Sequence, residues 1–253
     1  MSGRWLAGYL SRPSHACGSA PATTPDRLLA ALRPGDVLLV EGRTRISTAI
    51  KYLTQSTWSH AALYVGGELE IAGAPPGHRF IEADIRAGVR STTVDEYAAL
   101  HTRICRPVGL NAEDCKIVAG YAISRLGHRY DLRNVIDLAR YLLPTPPVPT
   151  RFRRRMIALG SGDPTRAICS TLIALAFQSI RYPILPVVEW QSADTPECPG
   201  CRDEILHVRH HSLFAPRDFD VSPYFSVVKP ALSAEFNFRQ LEWGDDRTNS
   251  DSC

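Results

Sequence analysis

The chain has 253 residues, of which 44% are hydrophobic and 22% are charged, and its formal net charge is +3 at pH 7. These values are typical of a globular protein with one sizeable core, and they exclude global disorder. The small net charge gives no reason to expect nucleic acid as a partner.

The two ends of the chain differ from its middle. Residues 1–25 mix Ser, Pro, Gly and Ala with little periodicity, and the last residues are polar and acidic. We predict a flexible segment at 1–25, one domain at 26–232 and a loose tail at 233–253. No apolar run reaches the roughly 20 residues of a membrane span, and the start lacks a signal-peptide stretch, so we expect a cytoplasmic protein.

The first half of the chain predicts helices and strands with clear turn signals. PDRLLAAL predicts a short helix, PGDVLLVEG a strand that ends at Gly42, and the spacing of apolar residues a helix at 45–55. SHAALYVGG and GELEIAG read as two strands joined by a Gly-Gly turn, and RFIEADI as a further strand.

The second half is dominated by helices. After a short helix in VDEYAAL and a strand in TRICRPV, a helix is predicted from the capping Asn111 to Gly127. LRNVIDLARYLL predicts another helix, and AICSTLIALAFQSI a largely apolar one with Cys169 near its start. Because the strands precede the principal helices, we predict an α+β fold with an antiparallel sheet packed against helices.

Cys169 is the candidate nucleophile. The seven cysteines are scattered and odd in number, which favours free thiols, and most free cysteines are simply small buried residues. A helix start, however, offers partial positive charge and backbone amides, which stabilise a thiolate and the oxyanion formed when a carbonyl is attacked.

A base and an orienting group are expected on neighbouring strands. His60 begins the SHAALYV strand and is the candidate base, and Glu82 in FIEADI is the candidate third member, with Asp84 on the same face as the alternative. Spacing alone does not select these residues, because nucleophile and base meet in space rather than in sequence.

Five segments, GDVLLVEG, SHAALYVGG, FIEADIRAGV, GHRYDLRN and ICSTLIALAF, together resemble in that order the YiiX/YaeF-like branch of the NlpC-type, papain-like superfamily. The resemblance covers residues 34–230 and implies a circularly permuted papain-like fold, because His60 precedes Cys169 here whereas the usual order is the reverse. It implies the triad Cys169, His60 and Glu82. Related acyltransferases of the lecithin:retinol type carry a second His where this sequence has Glu82.

The resemblance implies a cysteine hydrolase that forms an acyl-enzyme. The substrate class is a peptide or an acyl lipid, so the activity is that of an amidase or peptidase, or of an ester or thioester hydrolase or acyltransferase. Tyr130, in the Gly-x-x-Tyr-Asp element, is expected near the site, and Ser59 and Ser170 flank the two catalytic residues. No cofactor is expected. A binding module that has lost the chemistry is the alternative.

Two further motifs stay outside this assignment. Cys198 and Cys201 in CPGC, with His207 and His210 downstream, have the residue types of a zinc site or a redox pair, although the histidines equally suit a strand facing solvent or carboxylates. The basic run RFRRR suggests either solvated surface or peripheral membrane contact, and its arginines are Arg151, Arg153, Arg154 and Arg155.

Overall fold

The computed structural model describes residues 23–128, 168–192 and 202–229. The predictions for the ends of the chain, for the helix in LRNVIDLARYLL and for membrane contact through the basic run lie outside these residues. None of the helices in the described ranges is long and apolar enough to cross a membrane.

Eight strands and six α-helices form in the described part of the chain. The strands are β1 Val37–Glu41, β2 His60–Tyr64, β3 Phe80–Asp84, β4 Gly88–Thr92, β5 His101–Pro107, β6 Val187–Ser192, β7 Arg202–His207 and β8 Phe225–Val228. The helices are α1 Pro25–Ala31, α2 Arg45–Thr54, α3 Glu68–Ile71, α4 Ala112–Ile123, α5 Ile168–Gln178 and α6 Pro216–Val221, with 3₁₀ turns at Val94–Tyr97 and His211–Leu213.

Six of the described strands form one sheet in the order β4-β3-β2-β1-β5-β8, and every neighbouring pair is antiparallel. The other two, β6 and β7, form a separate antiparallel pair. The mixture of helices with an antiparallel sheet confirms the predicted α+β class.

The central strand β1 is buried along its whole length because both faces of the sheet are covered. Val37 and Leu39 belong to the core on one face, and Leu38 and Val40 to the core on the other. Alternate residues of a strand point to opposite faces, so a continuous apolar run suits this position.

Helix α5 packs against β2 and β3 and belongs to the first of these cores. Leu172, Ile173 and Phe177 are fully buried. Each such side chain contributes about 1.5–3 kcal/mol relative to an exposed position. This packing fixes the start of the helix, which carries Cys169, against the strand that begins with His60.

Helix boundaries follow their capping residues. The Thr44 hydroxyl accepts the Ser47 N–H at the start of α2, which ends where Gln55 adopts a left-handed conformation with φ 51°. Asn111 caps α4 in a capping box with Asp114. The predicted helices at 45–55 and after Asn111 are therefore confirmed. The second helix ends at Ile123 and is followed by turns as far as Gly127, which has a positive φ.

One strand prediction is wrong. The segment ELEIAG forms the short helix α3 instead of the second arm of a hairpin. Gly66 takes a positive φ of 61° and turns the chain out of the sheet, and the position beside β2 is occupied by β3. Leu69 is buried while Ile71 is 82% exposed, so the alternating pattern does not mark two faces of a strand.

A strand in GVRST was not predicted. β4 pairs with β3 along its full length, with Arg90 directly opposite Glu82. The segment follows a turn at residues 85–87 in which the Asp84 carboxylate accepts two backbone N–H groups, from Arg86 and Ala87.

Candidate active site

His60 occupies the first position of β2, opposite Val40 of β1. Its side chain is 26% exposed, so the ring is held by the protein yet reachable from outside. A ring at the end of a central strand is fixed by the backbone pairing on β1, which suits a group that must stay aligned.

Strands β2 and β3 separate at this end of the sheet. Their pairing runs through only Leu63 and Tyr64 of β2, so Ala61 lies beyond the last paired residue, and its backbone helps to lower the pKa of the Cys169 thiol. Helix α5 contacts both strands. A continuous ladder between β2 and β3 would use the Ala61 backbone N–H. Because the strands separate here, this N–H is available to the buried sulfur of Cys169.

Glu82 lies on β3 and is 4% exposed. Its Oε2 atom is 2.6 Å from His60 Nε2 and accepts the Tyr97 hydroxyl at 2.7 Å. Its Oε1 atom accepts Arg90 Nε at 2.9 Å and Nη2 at 2.6 Å. Both carboxylate oxygens are therefore satisfied, which a buried charge requires.

His60 also lies close enough to the Cys169 thiol for each group to shift the pKa of the other. Because Nε2 is engaged by Glu82, Nδ1 is the ring nitrogen left for the sulfur. The structure therefore brings the three predicted residues Cys169, His60 and Glu82 together, with His60 between the thiol and the carboxylate.

The charges of Cys169, His60 and Glu82 stabilise one another. Burial lowers the pKa of His60, but Cys169 and Glu82 outweigh burial and raise it well above its ordinary value. Burial raises the pKa of Cys169, but His60, the Ala61 backbone and Ser170 outweigh burial and lower it. Burial likewise opposes ionisation of Glu82, yet His60, Tyr97 and Arg90 lower the pKa of Glu82 to about 2. Both shifts favour a thiolate beside an imidazolium.

Two other described cysteines differ from Cys169 in this respect. Burial raises the pKa of Cys105 to about 12, with Asp220 adding to the shift. Burial and the neighbouring Asp114 also raise the pKa of Cys115. Both are free thiols, so the depressed pKa of Cys169 is a local property of its site.

The serines that precede His60 and follow Cys169 have different environments. The Ser59 hydroxyl accepts the Gly42 N–H at 2.9 Å, so its bond goes to the end of β1 and not to the thiol. Ser170 is fully buried; its hydroxyl has no hydrogen bond of normal geometry in the described chain, but it is close enough to Cys169 to help lower the thiol pKa. Tyr130 lies outside the described residues.

The alternative Asp84 is not part of the site, because its carboxylate holds the turn between β3 and β4. His207 Nε2 is 2.8 Å from Glu189 across the β6–β7 pair, and His210 bonds the Ser212 hydroxyl at 2.7 Å. Within the described ranges no group of three or more His, Cys, Asp or Glu side chains has the arrangement of a metal site. Cys198 and Cys201 lie outside those ranges, so the zinc site stays a prediction.

Arg90 and Tyr97 were not predicted from the sequence as site residues. Arg90 carries a weak signal, because charged residues placed opposite each other on paired strands interact. That signal needs the β3–β4 register, which the unpredicted strand β4 supplies. Tyr97 reaches Glu82 from a 3₁₀ turn, and no sequence spacing indicates such a contact.

Residues 31–141 match the sequence model of a family described as "Permuted papain-like amidase enzyme, YaeF/YiiX, C92 family". The match confirms the resemblance to the permuted papain-like, YiiX-like family over these residues, and the family is described as amidases. The matched span includes His60 and Glu82 and ends before Cys169, so it does not bear on Cys169.

Among solved structures, the chain is similar to the metalloprotein YiiX from Escherichia coli O157:H7. The TM-score is 0.45 and the sequence identity 17%, over 78% of this chain and 97% of that chain. No curated protein matches the chain.

Proposed function

We propose that this chain, which resembles permuted papain-like amidases over residues 31–141, is a cysteine hydrolase that acts on amide or ester carbonyl groups. The observation that carries the proposal is geometric: Cys169 at the start of α5 lies beside His60, whose Nε2 is 2.6 Å from Glu82. The lowered pKa of Cys169 and the raised pKa of His60 agree with this arrangement. A thiolate is the reactive form of cysteine, so this pair is prepared to attack a carbonyl carbon.

In the first step the Cys169 thiolate attacks the carbonyl carbon, and the carbonyl oxygen takes up the negative charge. The first N–H groups of a helix have no acceptor within the helix, and Cys169 is the second residue of α5. Its own N–H is therefore our candidate donor for the oxyanion, supported by the positive end of the helix dipole.

In the second step the C–N or C–O bond of the substrate breaks, and the His60 imidazolium gives its proton to the leaving group. The product is a thioester between the substrate acyl group and Cys169. Neutral His60 then takes a proton from water, the resulting hydroxide attacks the thioester carbonyl, and the thiolate leaves to restore the starting ion pair.

Glu82 acts through His60 in both steps. Its carboxylate is an acceptor, so the 2.6 Å contact fixes a proton on His60 Nε2 and leaves Nδ1 for the thiol. It also stabilises the imidazolium, which carries the proton between steps.

The substrate class is proposed as a peptide or an acyl lipid, with an amide favoured over an ester because the matched family is described as amidases. Transfer of the acyl group to an acceptor other than water remains compatible with the same chemistry. Cytoplasmic location and membrane contact through Arg151, Arg153, Arg154 and Arg155 stay predictions.

The proposal is tested by trapping the acyl-enzyme. Purified protein would be treated with an activated ester, p-nitrophenyl acetate, and separately with peptide p-nitroanilides, then quenched with acid and mapped by mass spectrometry. We expect an acyl group on Cys169 that is absent in Cys169→Ala and strongly reduced in His60→Ala. If folded protein acquires no acyl group on Cys169 from any probe, the proposal fails and the non-catalytic binding module replaces it.

A further inference from the structure

Glu82 is a buried carboxylate with donors on both sides. One side faces the catalytic pair through His60, and the other side is held by Arg90 from β4 and Tyr97 from the 3₁₀ turn. The second set of donors does not touch Cys169 or His60. Any effect of these donors on the catalytic pair must therefore act through Glu82.

We propose that Arg90 and Tyr97 are positioning residues that keep Glu82 ionised and aimed at His60, and thereby set how far toward acid pH Cys169 stays a thiolate. The inference rests on the proposed function, because it concerns the same catalytic pair. It assigns the two residues to the reaction rather than only to the cohesion of the sheet.

Charge balance is the first reason. Thiolate, imidazolium and carboxylate together carry one excess negative charge in a buried site, and the Arg90 guanidinium brings the total to zero. Glu96 is the other acidic partner of Arg90, but its side chain is 45% exposed and its charge is better screened by water. Without Arg90 the buried excess charge favours protonation of Glu82 or of the thiolate.

Hydrogen bonding is the second reason. Arg90 gives two N–H donors to Oε1, and Tyr97 gives its hydroxyl to the same Oε2 atom that accepts His60. Burial and the adjacent Glu82 raise the pKa of Tyr97 well above its ordinary value, so its hydroxyl keeps its proton and stays a donor. Donors that favour the ionised carboxylate lower its pKa and fix its orientation.

The supporting residues are themselves held in place. The Tyr97 ring is buried and packs edge-on against Phe80 of β3 with ring centroids 5.2 Å apart. Arg90 is clamped between Glu82 and Glu96. The charged and titratable groups that face Glu82 are thus His60 from β2, Arg90 from β4 and Tyr97 from the 3₁₀ turn, with Cys169 behind His60.

Loss of Arg90 or Tyr97 should move the Cys169 pH profile in one direction only. If Glu82 becomes protonated at a higher pH, the imidazolium loses its carboxylate partner and the thiolate loses part of its support. The acid side of the Cys169 pH profile then moves upward. A merely structural role of Arg90 and Tyr97 would change the free energy of unfolding and leave this midpoint in place.

The test measures the rate of Cys169 alkylation by iodoacetamide as a function of pH, which needs no knowledge of the substrate. We expect Arg90→Gln to move the acid midpoint upward by about one pH unit and Tyr97→Phe by a smaller amount, in line with hydrogen bonds to a charged group. Arg90→Lys keeps the charge but not the two-pronged contact, so a partial return toward wild type is expected.

One control variant and one second test variant make the result specific. Arg79→Gln removes an arginine that pairs with Glu70 at 2.7 Å outside the site, and we expect the wild-type midpoint. Tyr97→Phe keeps the ring that packs on Phe80, so the proposal can still be tested if the arginine variant misfolds. Circular dichroism would confirm that each variant is folded.

The outcomes separate this inference from the proposed function. If folded Arg90→Gln and Tyr97→Phe both keep the wild-type midpoint while His60→Ala loses it, the positioning role is overturned and the catalytic pair stands. If the His60→Ala profile also coincides with the wild-type profile, the catalytic pair itself fails, and the positioning role fails with it.

Discussion

The Glu82 carboxylate lies 2.6 Å from Nε2 of His60, and this contact determines which ring nitrogen is available for chemistry. An ionised carboxylate only accepts hydrogen bonds, so the proton of the neutral ring must lie on Nε2. Nδ1 is then the ring nitrogen that can act as a base toward Cys169. The order of the three groups is therefore thiol, imidazole, carboxylate.

Replacing Glu82 by Gln tests this arrangement. The amide keeps the shape of the side chain but removes the charge that stabilises the imidazolium, so we expect acylation of Cys169 to slow by about 100-fold. The measurement is the rate of acyl-enzyme formation with p-nitrophenyl acetate. A variant that reacts within about twofold of wild type would show that Glu82 does not orient the base.

The pH dependence of acylation should be bell-shaped. Activity requires a thiolate and an imidazolium together, so it rises as pH passes the lowered pKa of Cys169 and falls as pH passes the raised pKa of His60. We expect a broad plateau through neutral pH in the acylation rate. A single rising limb with a midpoint near the free-thiol value of about 8.5 would contradict the ion pair.

Stability should depend on pH through Glu82. Its pKa is lowered to about 2 in the folded protein, so its contribution is present above the unfolded value and is lost as pH falls toward about 2. This contribution reaches up to about 3 kcal/mol. His60 has the opposite sign: its contribution is present below its unfolded pKa and is lost as pH rises through the raised folded value.

Urea unfolding at about pH 6 and about pH 3 measures the Glu82 contribution, with Glu82→Gln as the comparison. The wild-type free energy of unfolding should fall more between these two conditions than that of the variant. Parallel losses in both proteins would mean that other carboxylates dominate the acid sensitivity.

Gly42 should not accept a side chain. A Cβ atom there would lie 2.3 Å from the Ser47 hydroxyl oxygen and 3.0 Å from that of Ser59, at the join between β1 and the start of α2. We expect Gly42→Ala to lower the free energy of unfolding by about 1–3 kcal/mol.

Gly120→Ala is the matched control for Gly42→Ala. Nothing lies within 4 Å of a Cβ at Gly120, which is exposed within α4. Alanine has the higher helix propensity, so this variant should gain about 0.5–1 kcal/mol. Equal effects of the two substitutions in denaturant unfolding would contradict the close packing at Gly42.

The helix cap at Asn111 gives a separate stability prediction. Its side chain accepts the backbone N–H groups of Glu113 and Asp114. Asn111→Ala should cost about 1 kcal/mol, and Asn111→Asp should cost much less because Asp also caps helices. Thermal unfolding of both variants checks this, and equal losses would show that the cap bond contributes little.

The sequence predicted the parts of the site that follow from local pattern. The helix of Cys169, the strand of His60 and the cap at Asn111 all have signals within a few residues. The family resemblance then joined Cys169, His60 and Glu82, which no spacing could do because they lie far apart in the chain.

The remaining features depend on tertiary structure. ELEIAG alternates like a strand, but the place beside β2 is taken by β3, so tertiary pairing overrode the local pattern. Arg90 and Tyr97 act on Glu82 through strand register and a 3₁₀ turn, and the Ala61 contact with Cys169 needs the separation of β2 from β3. None of these has a periodicity in the sequence.

The central claim is that Cys169 is activated by His60, and site-resolved alkylation tests it most directly. Native protein and a His60→Ala variant would be treated with iodoacetamide across a range of pH, and the modified cysteines quantified by mass spectrometry. Cys105 and Cys115 serve as internal references, because burial raises the pKa of both thiols.

We predict that Cys169 alkylates with a midpoint well below the free-thiol value of about 8.5, while Cys105 and Cys115 react only at higher pH. In His60→Ala the Cys169 midpoint should rise above that value, because burial raises the thiol pKa and the imidazolium that opposes this rise is removed. A Cys169 that stays unreactive in native protein, or whose profile is the same with and without His60, would contradict the account.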